Sequence, residues 1–225
     1  MSENVKAKNS SENQEMVKNA MILFVITFIA ALLLGLVYQI TKDPIAEQEA
    51  LKISKANSAV FTSAASFSID NIVDSEKASS LLASDDDAQD YSGVTIDSCI
   101  EAYDESGNVL GYVLQITSSG YSDDIVFSMG ITNEGVLTGI SIISINETPG
   151  LGMNAEKVIV PQFTTSDGLD ADTTYSVVKD GTGSSSDSDS YIEAISGATI
   201  TSNAITHGVN AGLLYYTNIL EGGQS

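Results

Sequence analysis

Between Lys18 and Lys42 no residue is charged, and Asn19–Thr41 reads NAMILFVITFIAALLLGLVYQIT. Twenty-odd residues at about 1.5 Å rise each give roughly 33 Å of helix, enough to cross a hydrocarbon core. Lipid offers the backbone no partners, so such a stretch must be helical. A cleaved signal core is shorter and ends in a small-x-small site, which does not cleanly follow this run. The pattern predicts a short tail over 1–18 and a transmembrane helix over 19–41. Asp43-Pro44 is expected to break that helix or to cap a second one. Helical spacing returns from Ile45 to about Ala65 and suits a stalk, and Leu82–Gly93 (LASDDDAQDYSG) reads as a solvated acidic loop. Residues 42–90 are therefore expected to be a helical stalk and acidic linker, ahead of a domain over 91–221.

The period changes inside that domain. Thr95–Tyr103, Val109–Thr117, Ile125–Thr132 and Val136–Ile145 are rich in Val, Ile, Tyr and Thr, as strands are. Turn chemistry separates them: Asp104–Asn108, Ser118–Gly120 and Asn133–Gly135. Short turns join antiparallel neighbours, so the four strands form a meander. Asn154–Val160 suits a short helix ended by Pro161, and Gly181–Ser190 (GTGSSSDSDS) reads as a low-complexity loop. A last helix is expected from Ser202 to about Leu220, with Ala204, Ile205, Val209, Leu213 and Leu214 at helical spacing. The predicted fold class is α+β: one N-terminal transmembrane helix, then an antiparallel-sheet domain with packed helices.

Charge sharpens the picture. Residues 1–42 carry four lysines and three glutamates, whereas the remaining 183 hold five lysines and 27 acids. So negative a domain excludes nucleic acid as a partner. Lysines flank the span on both sides, leaving the positive-inside count nearly tied. A long acidic domain can be translocated regardless of charge, and a C-terminal domain outside the cytoplasm is expected. Ala30, Ala31 and Gly35 offer the span a small face for packing against other membrane helices. One cysteine, Cys99, excludes an internal disulfide, and one histidine, His207, excludes a His-rich zinc site. Cys99 reads as a small core residue and His207 as an ordinary helix-face residue. Tyr91, Tyr103, Tyr112, Tyr121, Tyr175 and Tyr191 are read as core, although any of them could stack on a planar ligand.

Two short segments carry candidate chemistry. Ser196–Ser202 (SGATITS) places a turn of small residues between a β-rich run, Tyr191–Ile195, and the start of the last helix. Small side chains allow close approach to the backbone, and a helix N-terminus presents free N–H groups that favour phosphate. Ordinary Ser/Thr capping of the helix is the plainer reading of that segment alone. Glu147–Gly152 (ETPGLG) is a loop with two glycines and a proline, and by itself it is equally well a rigid turn. The sequon at Asn146-Glu-Thr148 falls on this loop and is taken as chance.

In combination, ETPGLG after a strand meander, SGATITS, a C-terminal helix and a single N-terminal span resemble the FMN-binding domain of RnfG, a component of Rnf ion-translocating electron-transport complexes. NqrC, its counterpart in the sodium-pumping NADH:quinone oxidoreductase, is related and is the close alternative. The resemblance covers about residues 15–220. It implies FMN held covalently through a phosphoester to Thr199, attached by a separate flavin transferase that reads Asp-x-x-Ser/Thr-Gly-Ala-Thr, with Glu193 here in place of the aspartate. It also implies that Ser196, Gly197, Ala198 and Thr201 surround the phosphate. Glu147, Thr148, Gly150, Leu151 and Gly152 would approach the flavin. No residue is implied as a catalytic acid or base, and no metal ligand. The expected role is an electron relay in a complex that couples ferredoxin:NAD+ electron transfer to Na+ or H+ movement. Its expected partners are the other membrane and iron–sulfur subunits, the flavin transferase and membrane lipid. Two other classes stay open from sequence: a cofactor-free anchored module, and an independent reductase outside the cytoplasm.

Overall fold

The computed structural model describes residues 2–84, 91–164, 169–170, 173–179 and 190–221. Contacts divide the chain into two compact units, Met1–Leu51 and Lys52–Ser225. The first consists of most of helix α1, Ser2–Val60. This helix is long and apolar enough to cross a membrane, and its large side chains from Met21 to Ile40 are exposed. Pro44 lies inside α1, contrary to the expected break at Asp43-Pro44. Proline removes one backbone donor but holds φ near a helical value, so a helix sustained on both sides runs through it.

The second unit is built on the meander. Strands β1 (Ser66–Phe67), β2 (Val94–Tyr103), β3 (Val109–Ser119), β4 (Asp124–Thr132), β5 (Val136–Ser144) and β6 (Leu169–Asp170) pair antiparallel in sequence order. The four long strands match the expected ones to within two residues at each end. Register shifts within β2–β3 and β4–β5 mark bulges, which add local twist and bend.

The long helix α4 (Thr199–Tyr215) covers one face, with Leu114, Ile116, Phe127, Met129, Ile205, Val209 and Leu213 in one buried cluster. The helix lies close because Gly208 and Gly212 face the sheet, where a Cβ would meet Phe127 and Met129. It begins three residues before the expected Ser202 and continues into a π-helix, Tyr216–Glu221. The opposite face receives the end of α1: Val60 and Phe61 pack with Ala102 and Val113. Ser128 donates to Asn57 Oδ1 at 2.7 Å, and Thr138 donates to the Val60 carbonyl. Burial on both faces explains the near-continuous apolar run of β3, which strict alternation would not give.

The remaining elements are short. Helix α2 (Ser75–Ser84) takes in the start of the expected acidic loop, whose residues 85–90 lie outside the described set. After β5 come a 3-10 turn (Gly152–Asn154), α3 (Ala155–Val158) and a second 3-10 turn (Val160–Phe163). Pro161 is the second residue of this last turn, in the first turn where its missing donor is not needed, and α3 ends before it at Val158. Strands β7 (Ser176–Val178) and β8 (Tyr191–Glu193) pair in parallel as a separate ribbon. Most of the GTGSSSDSDS loop between them lies outside the described residues. Cys99 is fully buried on β2, and burial pushes its thiol up to about 12.

Candidate functional site

The β3–β4 turn, the chain leaving β5 and the start of α4 meet at one end of the sheet. Ser118, near the end of β3, ties the helix down by donating to the Ala204 carbonyl at 2.7 Å. The segment before α4 turns at Ile195–Ala198, where Ala198 N–H donates to Ile195 O at 2.9 Å and Gly197 adopts φ +78°. The ETPGLG loop uses the same device: Leu151 N–H donates to Thr148 O at 3.1 Å, with Pro149 and then Gly150 at φ +77° between them. A proline followed by a positive-φ glycine is the signature of a type II turn. The two loops touch, since a Cβ on Gly197 would lie 3.1 Å from Leu151 Cδ2.

Between them is a cleft of about 510 Å³ lined by Tyr121, Glu147, Thr148, Leu151, Gly152 and the run Gly197–Thr201. That volume falls within the roughly 300–1,000 Å³ of small-molecule sites. The start of α4 lies in this lining. Its N-cap is Ala198, which has no side-chain acceptor, so the expected Ser/Thr cap is absent. The helical ladder begins with Ser202 N–H donating to Ala198 O at 3.0 Å. The amides of Thr199, Ile200 and Thr201 therefore have no acceptor within the helix, and they carry its partial positive charge. Ser202 closes the loop internally: its Oγ accepts from Ile195 N–H at 3.0 Å and donates to Ala198 O at 2.9 Å. Thr199 is half-buried at the first helical position.

Glu147 is 5% exposed, although it is a carboxylate. Its Oε1 accepts from Tyr121 N–H at 2.7 Å and Ser122 N–H at 3.2 Å, and Thr201 donates to its Oε2 at 3.2 Å. Those contacts fix the carboxylate in the cleft wall and use the Thr201 hydroxyl hydrogen.

Eight of the ten residues named from sequence line the cleft: Glu147, Thr148, Leu151, Gly152, Gly197, Ala198, Thr199 and Thr201. Gly150 and Ser196 do not line it; they occupy the two turns that shape it. Sequence reading missed Ile200, which follows the SGAT run and is 54% exposed. It also assigned Tyr121 to the core, whereas this side chain is 68% exposed on the β3–β4 turn. An aromatic inside a Ser-Gly-x-Ser-Asp turn was the available signal, because turns seldom bury their residues. Tyr91, Tyr112 and Tyr175 are buried, and half-buried His207 does not line the cleft. Glu193 lies on β8, where its backbone exchanges hydrogen bonds with the Gln162 amide at 2.7 and 3.1 Å.

An uncapped helix start beside an apolar-rimmed cleft suits a ligand with a phosphate and a flat ring. Residues 120–214 match the FMN-binding domain family, and residues 4–60 match the RnfG N-terminal region. The G subunit of the Na(+)-translocating ferredoxin:NAD(+) oxidoreductase complex of Acetobacterium woodii is 36% identical over 205 residues, 90% of this chain and 92% of that protein. The chain belongs to the RnfG family. The G subunit of the proton-translocating ferredoxin:NAD(+) oxidoreductase complex of Clostridium ljungdahlii is 29% identical over 89% of this chain and 91% of its own length. Among solved structures, the C subunit of the Na(+)-translocating NADH-quinone reductase from Parabacteroides distasonis is similar at a TM-score of 0.43 and 23% identity, covering 54% of this chain and 61% of that one. The FMN-binding match in this RnfG-family chain spans all ten cleft-lining residues. Its N-terminal match contains the apolar stretch of α1, the membrane anchor.

Proposed function

We propose that this RnfG-family chain is a membrane-anchored electron-transfer protein with FMN on Thr199, in a complex that couples ferredoxin:NAD+ electron transfer to Na+ or H+ translocation. The substrates and the ion come from the names of the relatives. The covalent link is favoured by one local observation: Thr199 opens an uncapped helix on a cleft with no basic lining residue.

Free FMN brings a phosphate of nearly two negative charges. Here it would meet the buried Glu147 carboxylate, inside a domain whose acids far outnumber its lysines. Three helix-end amides are a modest counterweight to that repulsion. A phosphodiester carries a single charge and cannot dissociate. Attachment exchanges the Thr199 O–H bond for an O–P bond, with the proton and the activating group of the flavin donor leaving. The half-buried position of Thr199 keeps its hydroxyl within reach of a flavin transferase. Gly152 and Gly197 keep the cleft open beside it, and Leu151 and Ile200 supply apolar edges for a ring. Bound FMN supplies the one- and two-electron chemistry, and the protein orients and shields it.

In this reading residues 19–41 cross lipid once, the domain over 91–221 lies outside the cytoplasm, and the other membrane and iron–sulfur subunits exchange electrons with it. The test is intact mass and in-gel flavin fluorescence of the denatured protein from its native host, beside Thr199→Ala. A fluorescent band with an FMN-sized mass increment, absent in the variant, is expected. Native protein without that increment would overturn the covalent assignment. Phosphatase fused to the C-terminus should be active if the domain is outside, and inactive fusions would reverse the orientation.

A further inference from the structure

We propose that Glu147 is a positioning residue that holds Tyr121 against the flavin ring, so that the Tyr121 phenol forms one wall of the ring's site. The inference rests on the reading that the cleft holds a flavin.

Glu147 links two of the three segments that build the cleft to its own. One carboxylate oxygen takes the two successive N–H groups of the β3–β4 turn, from Tyr121 at 2.7 Å and Ser122 at 3.2 Å. The other takes the Thr201 hydroxyl of α4 at 3.2 Å. Space for the side chain is made by missing side chains. A Cβ on Gly152 would lie 2.7 Å from Glu147 Cβ and 2.9 Å from its Oε2. A Cβ on Gly120 would collide with Oε1 from the other side. Two glycines thus form a socket for a carboxylate, and neither has a positive φ, while Gly120 also leaves room for the Asp123 carbonyl oxygen, 2.6 Å from where its Cβ would lie.

With three of its roughly four acceptor positions taken by these donors, Glu147 acts as a frame for the cleft. What it fixes is the backbone of Tyr121, a cleft-lining residue that is 68% exposed. Leu151 and Ile200, 39% and 54% exposed, complete the apolar lining. A tyrosine has two side-chain torsions, so pinning its backbone goes far towards fixing the ring. Ring-on-ring contact is the arrangement an exposed aromatic beside a flat ligand favours.

Tyrosine in contact with a flavin quenches its fluorescence: the phenol gives one electron to the excited ring and receives it back on recombination. Phenylalanine does so far less readily. The experiment measures flavin content by intact mass and flavin fluorescence lifetime on the full chain in detergent, from its native host. Tyr121→Phe leaves every backbone bond in place and should lengthen the lifetime several-fold at equal flavin content. Glu147→Ala frees the turn and should lengthen it likewise. Glu147→Gln keeps one oxygen for Tyr121 N–H and should stay near the native lifetime. If Glu147→Ala does not fold, Glu147→Asp, which shortens the side chain by one methylene and withdraws its oxygens from the turn, replaces it. An unchanged lifetime in flavin-loaded Tyr121→Phe would overturn the role of Tyr121. A native lifetime in the loaded Glu147→Ala or Glu147→Asp protein would overturn the role of Glu147. Native protein with no flavin mass would overturn both this inference and the reading beneath it, and is distinct from either lifetime result.

Discussion

Thr201 donates its hydroxyl hydrogen to Glu147 Oε2 at 3.2 Å, joining segments 54 residues apart. Gly152 lies against both partners: a Cβ there would be 2.7 Å from Thr201 Oγ1 and 2.7 Å from Glu147 Cβ. Gly152→Ala must therefore displace a buried hydrogen-bonded pair, at a cost of about 1–3 kcal/mol for overpacking. Gly150→Ala meets nothing within 4 Å and is penalised only by its φ of +77°, about 1–2 kcal/mol. Urea unfolding should show both losses, but flavin content should fall only for Gly152→Ala. Equal flavin content in the two variants would detach Gly152 from the site.

The helix–sheet contact gives a pair of substitutions with different outcomes. A Cβ on Gly208 would lie 2.8 Å from Phe127 Cζ, part of a rigid and fully buried ring. One on Gly212 would lie 2.7 Å from Met129 Sδ, which has several torsions with which to move aside, and 2.8 Å from Ile116 Cδ1. Alanine is better than glycine inside a helix by roughly 1 kcal/mol. Gly212→Ala should therefore come out near neutral, while Gly208→Ala should lose about 1–3 kcal/mol. Thermal melts of the two proteins check this, and equal melting temperatures would contradict it.

Asn57 and Ser128 form a buried hydrogen bond at 2.7 Å between the end of α1 and β4. Removing one partner strands the other, so Ser128→Ala should cost about 1–3 kcal/mol. Replacing both, as Asn57→Leu with Ser128→Ala, should cost less than the sum of the single changes. A double-mutant cycle by chemical denaturation gives the coupling, and strict additivity would mean that no bond is made.

Cys99 has no exposed surface, and its thiol is pushed up from 9.0 to about 12, first by burial and then by the Glu101 charge. The folded protein should resist maleimide at pH 8 and react only after unfolding. The raised value also fixes a sign. The stability linked to this group is complete below pH 9 and is lost as pH rises towards 12. Cys99→Ala should flatten that alkaline limb of an unfolding curve, and an unchanged limb would assign it to other groups.

Much of this molecule follows from local pattern. The apolar run of α1 has one physical solution in lipid, and the meander strands are delimited by Asp, Asn, Ser and Gly turns a few residues long. A helix start near Ser196–Ser202 is legible because a turn of small residues followed by helical periodicity is a local signal, although the helix opens at Thr199 and not at the expected Ser202. What the tertiary structure decided lies between segments. That the helix opens at Thr199, with Ala198 at a cap position it cannot fill, goes with Ser202 lying inside the helix and bonding back to Ile195. That the Glu147 carboxylate is held in the cleft wall depends on a turn 26 residues earlier, and on the absence of side chains at Gly120 and Gly152. Residue type alone puts Tyr121 in the core, and that same bond holds it at the rim. Periodicity along a chain reports which face a residue takes within its own element. The partner of a buried carboxylate is set by which loops meet at the end of a sheet, and only the folded chain holds that information.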